Sequence, residues 1–328
     1  MKSVWRIAAL SGGVLLFAWY VGQVGPERIW EAVQRVGPFA PIILIPYLVV
    51  YVVDALAWAQ VLPPKRPRFP SLLRIRWAGE AVNNLVPTAY IGGEAVKVGL
   101  LRAAGIDAAT GTVAAVVSKT AQTVAQGCFV LAAAAAFCQT MPARPGLRTA
   151  LWIVAGCGLA ATGVFFWVQR AGLFALLLAG LRKIGCRPEA IERRRARLLE
   201  IDQTLADYYR LQPGHFWRST GLYLAGWLLD TLEIYVVAYL LGWPMSWTQA
   251  LIVEAFTGVA KAIGMWVPGS LGIQESGIVL MGRLVGLPDT LSATYALIRR
   301  ARELIFAMTG LLLLSSGGKL RSTAGAKA

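Results

Sequence analysis

Six stretches of this chain, 4–24, 39–61, 108–138, 147–168, 219–241 and 290–315, are each mostly apolar over the length of about 20 residues that a helix needs to cross a bilayer. No other feature narrows the possible folds as much. Hydrocarbon supplies no hydrogen-bond partners, so a spanning segment must close its backbone bonds within a helix or within a closed barrel. These runs are about twice as long as a barrel strand, which selects the helix. Mean hydropathy is +0.58 and 57% of residues are hydrophobic, well above the globular norm. The expectation is an all-α polytopic membrane protein with about six spanning helices.

Two further apolar regions, 71–105 and 246–286, are interrupted in the middle. The first carries VPTAYIGGEA from Val86 and the second VPGSLGIQES from Val267. Each reads as two half-helices joined at a Pro/Gly tip, a re-entrant or broken-helix hairpin. An offset of 181 aligns the two without gaps: Val86 meets Val267, Pro87 meets Pro268, Glu94 meets Glu275, Arg102 meets Arg283, Gly105 meets Gly286 and Lys119 meets Arg300. The spacing therefore predicts an inverted-topology repeat within one integral membrane domain, 1–316, with halves at 1–138 and 147–316. Two unrelated kinked helices are the alternative.

Charge supplies the orientation. Lys and Arg number 32 against 17 Asp and Glu, a formal charge of +15, and the basic residues lie between the apolar runs. That is the positive-inside pattern rather than a nucleic-acid patch. It assigns to the cytoplasm both termini, the PPKRPRFP connector with Arg74 and Arg76 behind it, the connector 169–218 with Arg193, Arg194, Arg195 and Arg197, and the short tail 317–328. The basic, apolar start lacks a small-residue cleavage site before Pro26, so it reads as a retained helix. The connector 169–218 alternates charge with Leu, Ile and Tyr at helical spacing; it suits either an anionic membrane surface or the protein's own cytoplasmic face.

Several chemistries are excluded by what is missing. Cys128, Cys138, Cys157 and Cys186 form no C-x-x-C pair and His215 is the single histidine, so neither a disulfide framework nor a metal site is expected. No G-x-x-x-x-G-K-[ST] loop exists for ATP hydrolysis. No cofactor and no catalytic residue is assigned, and transport would be passive or ion-driven.

Candidate binding residues gather at the tips and in the last run. At the tips, Gly92, Gly93, Gly269 and Gly272 permit tight backbone geometry. Glu94 and Glu275 fall in the first turn of the following half-helix, where the dipole favours an acid with or without a substrate. Exposed N–H groups there can hold a lipid phosphate, and Asn83 and Asn84 can cap backbone or meet a headgroup. In YALIRRARELIF, the residues Arg299, Arg300, Arg302 and Glu303 interrupt an apolar span, and each charge there costs ~2.5–3.5 kcal/mol on insertion scales. Arg299 and Glu303 are four apart and can pair; the remaining guanidinium groups match phosphate oxygens. Lys119 stands at the equivalent place in AVVSKTAQTVAQ. Asp54, Asp230, Glu233, Glu254 and Lys261 are available for coupling or charge pairing, with neutralisation of Arg300 the plain role for Asp230 and Glu233.

Asn83, Pro87, Gly92, Gly93, Glu94 and Arg102, followed by Pro268, Gly269, Gly272 and Glu275, resemble the motifs of the integral-membrane region of lysylphosphatidylglycerol synthases and their stand-alone, flippase-like relatives. The likeness spans about 39–315. Members often carry an acidic-basic pair after the first motif, where this chain has Ser118 and Lys119. The resemblance implies movement of an anionic or isoprenoid-linked lipid between leaflets of a bacterial inner membrane, some relatives being associated with hopanoid pathways. It implies no aminoacyl transfer, since only a short tail follows residue 316. A lipid-modifying transferase and a non-transporting assembly partner of lipid-biosynthesis enzymes stay open as alternatives.

Overall fold

The computed structural model describes residues 25–86, 88, 91–140, 145–183 and 195–316, together with Leu15. The expected first helix at 4–24, Pro87, Arg193, Arg194 and the tail lie outside the described residues.

Among the described residues the protein is built from α-helices and short 3-10 turns. Helix α1 (Pro26–Val36) leads through a 3-10 turn (Gly37–Ile43) into α2 (Leu44–Val61). Then come α3 (Phe69–Leu85), α4 (Ile91–Ala103) and α5 (Ala108–Thr140). Helix α6 (Pro145–Lys183) is followed by α7 (Arg195–Leu211) and α8 (Pro213–Leu240). The chain finishes with α9 (Trp247–Ile263), a 3-10 turn (Pro268–Ser270), α10 (Ile273–Leu284) and α11 (Asp289–Ser316). Both interrupted regions are thus pairs of shorter helices, α3–α4 and α9–α10, joined at the expected tips.

Local chemistry sets several boundaries. Pro70 and Pro213 sit in the first turns of α3 and α8, where their missing N–H is no loss. Ser246 and Gln249 cap α9 reciprocally: Ser246 Oγ accepts from the Gln249 N–H at 3.2 Å and Gln249 Oε1 accepts from the Ser246 N–H at 2.8 Å. Helix α3 stops where Val86, ahead of Pro87, turns extended at φ −102 and ψ 124.

Three helical runs, Pro26–Val61, Ala108–Thr140 and Pro213–Leu240, are long and apolar enough to cross a membrane among the described residues. A fourth run qualifies only as a bent pair, 155–169 and 171–183, with 84° between its limbs. The bend falls where the expected span 147–168 gives way to the connector from 169: helix stands on both sides of it, and the chain turns sharply with Gly172 at φ 98. Helix α11 has the length, 28 residues, but its charged centre takes it out of the purely apolar class.

Packing links the halves crosswise. Helix α2 lies along α8, α3 packs on α11, and α9 packs on α5. Hairpin α3–α4 is closed by contact between its arms, as is α9–α10, and α4 and α10 contact the helices that follow them, α5 and α11. Of the larger core clusters, one includes Phe129, Ile234, Val253 and Tyr295 and a second includes Trp58, Leu72, Val117, Leu205 and Tyr223; a small third joins Leu85 to Ala307 and Leu311. Trp227 packs against both larger clusters, and the polar site lies beside it.

A polar cavity at the junction of the halves

A cavity of about 340 Å³ opens where six helices meet. Helix α2 contributes Asp54, α3 Arg76, Glu80 and Asn84, α5 Lys119 and Gln122, α8 Tyr223 and Asp230, α9 Lys261, and α11 Arg299. Among the described residues, four cations and three carboxylates therefore share its wall. An ionic lining among apolar helices is expensive unless the charges pair or meet water, and the pairing here is extensive.

The first half builds its network on the hairpin α3–α4. Arg76 is ion-paired with Asp54 and stands 3.6 Å from Glu80, one turn further along α3. Glu80 also meets Lys97 of α4 at 3.4 Å, and Lys97 lies 2.6 Å from Glu94. The arms cross closely enough that a methyl group at Gly93 would run into the Gly79 carbonyl and Asn83. At that crossing the Gly93 N–H donates to Asn83 Oδ1 at 2.8 Å, so Asn83 caps a freed backbone group at the tip. Lys119 Nζ donates to Gln122 at 3.1 Å, and Ser118 and Tyr223 share a hydrogen bond of 2.6 Å.

The second network radiates from α11. Arg299 grips Glu254 with two bonds of 2.6 and 2.9 Å, and the Tyr295 hydroxyl joins them. Arg300 is fully buried and reaches Glu275, Glu303 at 2.5 Å and the Gly269 carbonyl at 2.8 Å. Arg302 lies 3.0 Å from Glu233 and 3.8 Å from Asp230, with its guanidinium 3.4 Å from the Tyr47 ring centre. Glu303 also accepts from Gln274 at 3.1 Å and stands 3.5 Å from Lys261.

The second tip is held by this network. Gly269 and Gly272 take positive φ of 58 and 78, and Ser270 between them takes 52, a strained value for a residue with a side chain. Ser270 Oγ donates to the Lys261 carbonyl at 3.1 Å while its own carbonyl accepts from Arg300 at 3.3 Å. Arg300 thus supplies the hydrogen bonds that backbone at membrane depth requires.

The structure distributes the sequence candidates unevenly. Asn84, Lys119, Asp54, Asp230, Lys261 and Arg299 line the cavity. Arg300, Glu303, Glu254 and Glu233 form the charge network behind it, and Glu94 and Glu275 pair with Lys97 and Arg300. Arg102 is exposed at the end of α4, and Arg283 is exposed and joined to Asp289 at 2.7 Å. That partnership holds the Asp289 carboxyl below the usual carboxylate range.

Two expectations change. Arg76 reads in the sequence as part of the basic connector, yet it is buried against Asp54. Asp230 and Glu233 read as partners of Arg300, yet they face Arg302; successive helical residues are 100° apart, so adjacent arginines look in different directions. Sequence reading also passed over Glu80 and Lys97. Their signals were the four-residue spacing of Arg76 and Glu80 and the three-residue spacing of Glu94 and Lys97, each a helical ion-pair pattern.

Comparison with known proteins gives one family. The family model for the lysylphosphatidylglycerol synthase TM region matches residues 4–310. No curated protein and no solved structure matches the chain.

Proposed function

We propose, from the premise that the chain belongs to the lysylphosphatidylglycerol synthase transmembrane-region family, that it moves a lipid or lipid-linked molecule between the leaflets of a bacterial inner membrane. Membership makes it a membrane protein of lipid metabolism or transport. The observation that carries the finer reading is the cavity wall, to which both halves of the chain contribute charge. Four cations against three carboxylates leave the wall with one positive charge in excess, suited to an anionic headgroup. A translocator needs polar groups from both halves around one central space, whereas a transferase would gather them toward one face.

In this reading the headgroup crosses through the cavity while the acyl or isoprenoid chains stay in the bilayer. Lys119, Lys261 and Arg299 offer N–H donors to phosphate or other anionic oxygens, and Tyr223 and Gln122 add neutral hydrogen bonds. The halves act as an inverted pair, with the cavity between them reached alternately from either side. The crosswise packing supports this. Under the offset of 181, α3 corresponds to α9 and α5 to α11, so the contacts α3–α11 and α9–α5 exchange with one another while α2–α8 maps onto itself.

The test is leaflet exchange of fluorescent anionic and isoprenoid lipids in proteoliposomes. Wild type is expected to accelerate exchange. Lys119→Gln is expected to slow it about tenfold, the effect of losing one charge-assisted hydrogen bond. Wild-type vesicles that exchange neither lipid faster than empty ones overturn the reading.

A further inference from the structure

Among the described residues, the charges of the two buried networks do not balance. In the first network Arg76, Lys97 and the neighbouring Lys119 face Asp54, Glu80 and Glu94, three against three. In the second, Lys261, Arg299, Arg300 and Arg302 face Asp230, Glu233, Glu254, Glu275 and Glu303, four against five. One carboxylate is in excess. An uncompensated carboxylate in such surroundings is so costly that it takes a counter-ion or a proton instead.

The geometry indicates which carboxylate it is. Glu254 has the bidentate Arg299, Glu303 has Arg300 and Gln274, and Glu275 has Arg300. Glu233 is 3.0 Å from Arg302. Both oxygens of Glu233 and Oδ1 of Asp230 are buried without a hydrogen-bond partner, but Asp230 is the more distant of the two from that guanidinium, at 3.8 Å. It is also the one acid of this network that lines the cavity, where water has access to it. A metal ion is the weaker occupant, because among the described residues no group of three or more His, Cys, Asp or Glu side chains is arranged to hold one.

We propose that Asp230 is a proton-binding site in the cavity wall, and that its proton enters and leaves in step with the cargo. The second half of this statement rests on the translocation reading; the first does not. Around Asp230 stand Glu233 on its own helix, Tyr47, Tyr51 and Asp54 from α2, and Lys119 from α5; α9 presents Glu254 and Lys261, and α11 Arg299 and Arg302. With Asp230 neutral, the cavity wall keeps its four cations and only two charged acids, Asp54 and Glu80. An anionic headgroup is then held more firmly, and by linkage a bound headgroup holds the proton more firmly too. Loss of the proton restores the carboxylate and weakens the hold on the anion. A proton gradient can therefore drive the cargo through the same space.

The experiment is infrared spectroscopy of the protein in lipid nanodiscs across neutral pH, with aspartate or glutamate carbon-13 labelled at the side-chain carboxyl. The expected result is a protonated-carboxyl C=O band that shifts with the aspartate label, persists in Asp54→Asn and is lost in Asp230→Asn. Absence of such a band, its shift with the glutamate label, or its loss in Asp54→Asn overturns the site. The isotope arm uses wild type, and Asp54→Asn assigns the aspartate if Asp230→Asn does not fold. For the coupling, lipid exchange is measured against pH in both proteins, and a profile that is steep in wild type and flat in Asp230→Asn is expected. An assigned band with equally steep profiles overturns the coupling alone; an assigned band without any lipid exchange overturns the translocation reading and leaves the proton site standing.

Discussion

Arg299, Arg300 and Arg302 leave a single turn of one helix in three directions; all three stand within 4.0 Å of Glu303, and each has a further acid of its own, Glu254, Glu275 and Glu233 in turn. Their separate surroundings give separate predictions. Arg300→Gln strands Glu275, takes from Glu303 its shortest ion pair and removes two donors from the tip at Gly269 and Ser270, so it is expected to lower stability by about 3–5 kcal/mol. Thermal unfolding in detergent measures it. Lys119→Gln, at the cavity wall, is expected to leave the melting temperature within a few degrees of wild type while it reduces lipid exchange. The sequence made the arginines legible as a group because a charge in an apolar run is conspicuous. It did not assign their partners, because those depend on which faces of α8, α9 and α10 turn toward α11. Lys97 and Glu80 escaped notice for a related reason: they pair with each other across the two arms of the hairpin, which no spacing along the chain displays.

The hairpins were readable as elements, since Pro and Gly in the middle of an apolar stretch break the helix and lipid cannot replace the lost bonds. The bend in α6 was not. Gln169 closes its upper limb with hydrogen bonds to Thr120 and Tyr209, and below the bend Asp202 of α7 accepts from the N–H groups of Phe174 at 3.0 Å and Ala175 at 2.7 Å. The apparent connector is thus a clamp that caps the lower limb. Asp202→Ala is expected to cost about 1–2 kcal/mol, the usual loss of a helix cap, and to widen the spread of distances between spin labels on the two limbs. Asp107 caps α5 in the same manner: its carboxylate accepts from the Ala109 N–H at 2.7 Å, and this hydrogen bond, with others to backbone, holds it below the usual carboxylate range. A depressed folded-state value stabilises above the unfolded one and is lost as pH falls through it. The melting-temperature gap between wild type and Asp107→Ala should therefore be full at neutral pH and close in acid.

At the scale of the whole molecule, the inverted arrangement makes a claim about sidedness. Single cysteines at Thr88 and Val267, one beside each tip, should react with an impermeant thiol reagent from opposite sides of the membrane. Reaction from a common side would defeat the arrangement. The repeat expected from Pro, Glu and Gly at one offset is what this labelling tests; the crosswise packing was invisible in the sequence, because no local pattern tells α3 that its partner is α11. That pairing bears on how the chain is made. Helix α3 is complete at Leu85, but the surface it packs against begins at Asp289, so at ~5–20 residues per second the ribosome needs ~10–40 seconds to deliver it. For that interval the early hairpin sits in the bilayer with an unfinished flank, in the keeping of the insertion machinery. Synthesis halted before α11 would then yield an open fragment for quality-control proteases to remove, rather than a smaller version of the same protein.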